Sequence, residues 1–400
     1  MKILRVISSV DKTNGGPING LLNSSKELVA RGHEVTVLSL DDPLDNHVAT
    51  FPFPLVTFKS RLGALKYSSQ FSLWLEQNVS NFDVVIIHGI WQFHSYAAAK
   101  ACVKQNVPYV LFTHGMLDPW FTETNLLGRV KKTIYWKLFE RHAINNAAQV
   151  LFTSKEELRL ARKPFSPYSP NEKVVAYGSP IPNTNEANAK HAFFAKFPNL
   201  QDKLFLLFLS RIHEKKGIDL LIEAMGEFND KYPDMQLAIA GPDHNKLQPK
   251  LQERAKALNI EDRISWLGML DAEIKWGAFY ACDAFVLPSH QENFGIVVSE
   301  ALSTGTPVLI TKKVNIWTEV VDANAGFAEA DSVTGVKSVL NSWLSLDPEG
   351  CLQMKQNALD CYKRNFSMEA AVDDLERVLL FTANLTTQNE AKFTHSVERS

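Results

Sequence analysis

Two glutamates eight positions apart, Glu292 and Glu300, flank a glycine turn in Ser289-His290-Gln291-Glu292-Asn293-Phe294-Gly295-Ile296-Val297-Val298-Ser299-Glu300-Ala301. One carboxylate accepts hydrogen bonds from two hydroxyls, so carboxylates in such a setting suit vicinal diols. Asn293 to Ile296 fall at a helix start, where unpaired N–H groups attract anions and hydroxyl oxygens. A second stretch, Leu209-Ser210-Arg211-Ile212-His213-Glu214-Lys215-Lys216-Gly217, sets Arg211 and Lys216 on a loop able to fold around an anion. A diphosphate calls for this pairing: Arg grips bidentately and Lys adds a point charge, with Lys215 as second choice. In Asn14-Gly15-Gly16-Pro17, Gly15 and Gly16 let the backbone approach a ligand closely. The pattern is neither G-x-G-x-x-G nor a P-loop, so it does not indicate a dinucleotide or ATP site. His114, in Thr113-His114-Gly115-Met116-Leu117-Asp118-Pro119-Trp120, ends an apolar run and could bond a hydroxyl or donate toward a reaction centre. His88-Gly89 is a similar case, and Asp118 and Trp120 could shape the same side.

Pro-Ser-x-x-Glu-x-Phe-Gly-x-x-x-x-Glu-Ala (from Pro288), followed by Gly-x-Pro-Val (Gly305 to Val308), resembles the signature of family 4 of the retaining glycosyltransferases. The resemblance is tight from Arg211 to Val308 and looser before. It implies an α/β chain of GT-B architecture, with two Rossmann-like doubly wound domains facing across a cleft. It implies that Glu300 binds the ribose hydroxyls of a nucleotide-sugar donor. Glu292 and the Asn293, Phe294, Gly295 and Ile296 backbone would hold the transferred sugar and its phosphate, and Arg211 and Lys216 the diphosphate. The Gly15-Gly16 loop would lie near donor phosphate and acceptor. Gly241 (in Ala240-Gly241-Pro242) and Leu270 (in Leu267-Gly268-Met269-Leu270) resemble the base-side wall. The implied catalytic set is His114, Glu292, Arg211 and Lys216. The chain contains no Asp-x-Asp triplet, so no metal is expected, and the two cations would neutralise the leaving phosphate instead. No cofactor is expected either, because the UDP- or GDP-linked sugar is itself a substrate. The reading is a hexosyltransferase acting on a glycan or lipid-linked acceptor in polysaccharide biosynthesis. The alternatives are a nucleotide-sugar epimerase on the same fold, a phosphorylase-like enzyme with lysine-bound pyridoxal phosphate, or a non-catalytic nucleotide-sugar-binding partner subunit.

Parallel strands followed by helices must carry these loops. Ile3–Val10, a Gly-rich loop, a helix over Pro17–Arg31 and Glu34–Leu40 make a β–loop–α–β unit. Buried runs follow at Asp83–Ile87, Tyr109–Phe112 and Gln149–Phe152. After Ser179-Pro180-Ile181-Pro182-Asn183-Thr184-Asn185, which is turn and linker chemistry, the pattern restarts. Strands are expected at Leu204–Leu209, Gln236–Ala240, Ile264–Leu267, Ala284–Leu287 and Val308–Ile310, with helices at Ile218–Tyr232, Gln248–Leu258 and Ile296–Ser303. The expected domains are 1–182, binding the acceptor, and 183–365, binding the nucleotide sugar. A helix over 366–385 would cross back to the first domain, and 386–400 is expected to be a disordered tail.

With 45% hydrophobic and 22% charged residues over 400 positions, an ordinary globular protein of two domains is expected. The net charge of −2 argues against nucleic acid as a partner. Residues 1–182 carry 20 Lys+Arg against 14 Asp+Glu, and residues 183–400 carry 22 against 30, so the first part is basic. Gly128 to Arg141 concentrates that charge: Arg129, Lys131, Lys132, Lys137 and Arg141 against Glu140 alone, interleaved with Tyr135, Trp136 and Phe139. This suits an anionic membrane surface, or else an amphipathic domain helix with a solvated basic face. The four cysteines form no C-x-x-C pair, which suggests free thiols in a reducing compartment. No apolar run reaches 18 residues. The expectation is a cytoplasmic protein, peripheral at the inner face of the plasma membrane.

Overall fold

The computed structural model describes residues 1–61, 63, 65–123, 126–179, 181–228 and 232–397, with 14, 123, 126, 127 and 385–397 described without their side chains. The chain divides into two units, Met1–Gly178 together with the chain from Met368 on, and Ser179–Ser367.

In the first unit, short apolar runs form β1 (Lys2–Ile7), β2 (Glu34–Ser39), β3 (Leu55–Thr57), β4 (Val84–His88), β5 (Tyr109–Phe112), β6 (Gln149–Phe152) and β7 (Glu172–Val174). They make one sheet in the order β3-β2-β1-β4-β5-β6-β7, every pair parallel. Parallel strands need crossover helices, and helices on both faces explain why the central strands are mostly apolar. Alternate residues serve the two faces. Ile3, Val84, Ile86, Val110 and Phe112 pack with Val372, Leu375, Val378 and Leu379 of the helix Met368–Val397. Leu4, Val6, Val85, Ile87 and Leu111 pack on the opposite side with Phe71, Leu75 and Trp136.

The second unit repeats the plan with β8 (Phe205–Leu209), β9 (Gln236–Ala240), β10 (Ile264–Gly268), β11 (Ala284–Leu287), β12 (Val308–Thr311) and β13 (Gly326–Glu329), in the order β10-β9-β8-β11-β12-β13. Its pairs are also parallel. In both sheets the strand order reverses once, between β1 and β4 and between β8 and β11. Loops at such a reversal diverge and leave room for a ligand at the carboxyl ends of the strands.

Several elements differ from expectation. The edge strands β3, β7 and β13 were not foreseen: they are three or four residues long and carry no sustained apolar run. The division falls after Gly178 rather than 182, because Ser179 is already built into the second unit. Its N–H donates to the Phe366 carbonyl at 3.0 Å and its carbonyl accepts from the Tyr362 hydroxyl at 2.6 Å. The helix expected to reach Tyr232 ends at Glu227, and 229–231 lie outside the described residues. The polar stretch from Thr386, expected to be disordered, continues the last helix to Val397; it contains no glycine or proline to stop it. The end of that expected tail, 398–400, lies outside the described residues. Gly128–Arg141 is not one uniform helix. The helix Leu126–Tyr135 passes into a π-helical turn, Trp136–Glu140, which buries both its ends, Trp136 and Glu140.

The face covered by the last helix gives a direct test. Leu379→Ala should cost about 2–5 kcal/mol, the scale for emptying a buried leucine site. Its exposed neighbour, Leu380→Ala, should shift stability by less than about 0.5 kcal/mol. Urea denaturation of both variants measures the difference.

Candidate functional site

In the second unit the loops after β8 and β11 flank the reversal, and tight backbone contacts fix them. Gly217 has φ +65°, and a Cβ there would stand 2.0 Å from the Pro288 carbonyl oxygen. Gly241 has φ +139°, and its Cβ would meet the Ser210 carbonyl oxygen at 1.9 Å. Neither site admits a side chain, so these loops close on each other only through glycine. The His290 N–H donates to the Lys215 carbonyl at 2.8 Å, and Lys215 Nζ donates to the Gln291 amide oxygen, Oε1, at 2.9 Å.

The loop with Glu292 is stitched to the turn after β12. The Glu292 N–H donates to the Lys313 carbonyl at 2.9 Å, and its carbonyl accepts from Asn315 N–H at 3.1 Å. The buried Asn315 also donates to Asn293 Oδ1 at 3.4 Å. Gly295, with φ +71°, caps the helix Ile296–Ser303 and offers no side chain to its first N–H groups. The Val298 N–H donates to the Gly295 carbonyl at 2.8 Å, and the N–H groups at the very start of such a helix suit an anion or a hydroxyl. Phe294 is buried edge-on against Phe366 at 5.6 Å.

Both glutamates have lysine partners. Glu292 is ion-paired with Lys216. Glu300, one turn into its helix and largely buried, accepts from Lys275 Nζ at 2.8 Å. Arg211 is exposed on the same β8 loop as Lys216. Gly241 and the half-buried Leu270 end the neighbouring β9 and follow β10, where the Gly241 N–H donates to the Gly268 carbonyl at 2.8 Å. Lys275 and Asn315 were missed in the sequence, since only the fold joins them to Glu300 and Asn293.

In the first unit, Gly15 follows β1 with φ +89° and open space where a Cβ would point. It caps the helix Gly16–Ala30, and the Gly16 carbonyl accepts from the Tyr177 hydroxyl at 3.0 Å. His114 follows β5 in the left-handed region, φ +48°. The buried carboxylate of Glu157 clamps this turn. It accepts from Thr113 Oγ1 at 2.8 Å and Gly115 N–H at 2.6 Å, and from Thr153 N–H and Oγ1, both at 2.7 Å. His88, at the end of β4, has Nδ1 3.1 Å from Nε2 of His114. Trp120 N–H donates to Asp118 Oδ1 at 2.8 Å, which fixes the turn beyond.

Asp41, Asp45 and His47 form an acidic group of metal-ligand type. Asp41 already accepts from Ser9 Oγ, Val10 N–H and Ser39 Oγ, so its oxygens serve the loop after β2. All four cysteines are free thiols.

Comparison with known proteins adds to this geometry. The family described as Glycosyl transferase 4-like domain matches residues 15–178, and that described as Glycosyl transferases group 1 matches residues 190–360. An alpha-D-kanosaminyltransferase of Streptomyces kanamyceticus is 28% identical over 294 residues, covering 72% of this chain and 73% of that protein. A D-inositol 3-phosphate glycosyltransferase of Corynebacterium urealyticum is 28% identical over 201 residues, 48% of this chain and 46% of that protein. The crystal structure of HepE from Anabaena in complex with UDP is similar in fold, with a TM-score of 0.75 at 20% identity, over 95% of this chain and 99% of that one.

The buried titratable groups predict a pH profile of stability. Burial holds His94 down to about 4 and His114 to about 3, the latter with help from Arg5, and places His88 well below 6.5. Unfolded, each titrates near 6.5, so the unfolded chain binds more protons as pH falls below that value. Their contribution is complete above about pH 6.5 and is lost as pH falls from there toward 3. Glu140 works in the opposite sense. Burial raises it to about 7, so its contribution is present below 4.5 and lost as pH rises through 7. Three histidines outweigh one glutamate, so Tm should fall steadily from pH 6.5 to 5. Glu140→Gln should gain most relative to wild type at pH 8. A Tm that stays flat between pH 5 and 8 would contradict this account.

Proposed function

The chain belongs to the group 1, family 4 glycosyltransferases and has their two-domain GT-B fold, and on that premise we propose that it transfers a hexose-type sugar from a UDP- or GDP-linked donor to a glycan or lipid-linked acceptor in polysaccharide biosynthesis, with retention and without a metal ion. The observation that carries this reading is the set formed by Arg211 and Lys216 on the loop after β8, Glu292 on the loop after β11 and Glu300 in the helix that follows it. Cations for a diphosphate and carboxylates for diols belong together on a nucleotide-sugar donor.

Glu300 takes the ribose hydroxyls, and the N–H groups of Asn293 to Ile296 with Glu292 take the transferred sugar and its phosphate. Arg211 and Lys216 bind the diphosphate, and backbone at Gly241 and Leu270 borders the base. In the first unit, Gly15 and Gly16 serve donor phosphate and acceptor, and His114 contacts the sugar. The acceptor hydroxyl attacks the anomeric carbon on the face the nucleotide leaves. The bond to the phosphate oxygen breaks, and that oxygen takes the acceptor's proton. Side chains act by positioning and by stabilising the departing charge.

Contact with an anionic membrane, from the cytoplasmic side, is part of this proposal. Val130, Ile134 and Leu138 are all more than half exposed and spaced by four residues, and Arg129, Lys131 and Lys137 are exposed among them. Apolar side chains ringed by cations suit a lipid surface. Lys132 is not one of the free cations: its Nζ lies 5.2 Å from the Trp91 ring centre and 5.0 Å from that of Phe121. Among the described residues no helix is long and apolar enough to cross a membrane.

Two experiments test the reading. Thermal shift across UDP-, GDP- and ADP-sugars should pick out one donor class, because a ligand that binds only the folded state stabilises it. Glu300→Gln should weaken the best nucleotide by about 1–3 kcal/mol, and EDTA should leave transfer intact. Unchanged affinity in Glu300→Gln would remove the ribose assignment, and strict dependence on an added divalent ion would remove the metal-free mechanism. For the membrane, co-sedimentation with anionic vesicles should drop when Arg129, Lys131 and Lys137 become Ser, and also when salt shortens the Debye length to about 3 Å at 1 M. A wild-type chain that ignores anionic vesicles at low salt would end the membrane proposal.

A further inference from the structure

Strand β1 carries a charge among apolar neighbours: Arg5 sits between Leu4 and Val6 and is 1% exposed. Among the described residues no carboxylate pairs with it. Its guanidinium donates instead to the Leu21 carbonyl at 3.2 Å, to Ser24 and Ser25 Oγ at 2.8 and 2.9 Å, and from Nε and Nη2 to Nε2 of His88 at 3.2 and 3.1 Å. A buried cation without a counter-charge is costly, and burial pulls this guanidinium down to about 9. An apolar residue would fill the same sheet face without that cost. A local rule broken this way marks a functional position.

The bonding order follows from the donor inventory. Guanidinium has only donors, so Nε2 of His88 must accept and carries no hydrogen. Burial and the adjacent Arg5 keep His88 neutral, so its proton is on Nδ1. That N–H points at Nε2 of His114, 3.1 Å away, which must therefore accept in turn. His114 is neutral as well, which leaves its own proton on Nδ1. The His88 and His114 ring centres are 5.4 Å apart with 15° between planes, so the two imidazoles meet edge to edge in nearly one plane, as an N–H···N bond requires; Phe112 lies nearly parallel to both at 5.4–5.5 Å, and Tyr177 stands edge-on to His114 at 6.2 Å. Nδ1 of His114 has no protein partner among the described residues.

We propose that Arg5, acting through His88, fixes the tautomer of His114, so that His114 presents an N–H to an oxygen of the bound sugar and serves as a hydrogen-bond donor rather than as a base. Arg5 and His88 are positioning residues in this scheme. The proposal rests on the reading of His114 as the sugar-contacting residue.

Nitrogen-resolved NMR of the full chain labelled with nitrogen-15 histidine separates the two tautomers, with His88→Gln and His114→Gln assigning the signals. In the wild type, His88 and His114 should both show Nδ1–H. Arg5→Met removes the donors and frees His88 to hold its proton on Nε2. His114 should then switch to Nε2–H, and kcat should fall about a hundredfold, the scale of a lost transition-state donor, with donor KM little changed. Arg5→Lys can still donate to His88 and should keep the wild-type spectrum and most of kcat. An Nε2–H His114 in the wild type overturns the proposal, as does a folded Arg5→Met in which His114 keeps its tautomer or kcat is unchanged. If Arg5→Met does not fold, the wild-type and Arg5→Lys spectra still decide. Undiminished kcat in His114→Ala would discard the sugar-contact reading, whatever the spectra show.

Discussion

A parallel sheet delivers the carboxyl end of every strand to one edge, and this constraint governs where chemistry can reside in both units. Loops from strands on either side of the order reversal must diverge. In the second unit Gly217, which tolerates no Cβ, brings the β8 loop against Pro288 after β11, across the reversal, while Gly241 packs the β9 loop as tightly on Ser210. The hydrogen bonds from Glu292 and Asn315 tie the third loop to the same edge. Cations and carboxylates that are far apart in the chain thus come to a common rim, where the short helix after Gly295 begins.

The first unit meets the constraint with buried polar groups instead of glycine contacts. Glu157 takes four donors around the His114 turn. Arg5 spans the first helix and the end of β4 through His88. In a low-dielectric interior each such group is worth most when every partner is present and is costly when one is missing. The turn that carries His114 is therefore held stiffly despite a left-handed backbone that only a few residue types adopt readily.

The strands Tyr109–Phe112, Gln149–Phe152, Gln236–Ala240 and Ala284–Leu287 were legible to the residue because each is an unbroken apolar run bounded by polar or turn residues. The short edge strands β3, β7 and β13 were not, since one open side relaxes the demand for burial. The same divide runs through the candidate site. Glu292, Glu300, Arg211 and Lys216 stood out because their loops follow such runs. Lys275, Asn315 and Glu157 did not, because what makes them matter is a partner that only the crossover connections bring near. Arg5 left a visible trace, a charge inside Lys2–Ile7, but its meaning depends on His88, which lies on another strand.

The lysines paired with Glu292 and Glu300 bear on turnover. Lys216 and Lys275 are the partners of those carboxylates within the chain. In the donor site proposed above, incoming hydroxyls would exchange with an internal cation, and the net gain of binding would be reduced by the bond given up. On the same reading the exchange would run in reverse when the nucleotide departs, each lysine pairing again with its glutamate so that no bare charge is left in a half-buried place. On that reading, a rim that neutralises itself would let its product go more readily than one that leaves its carboxylates bare.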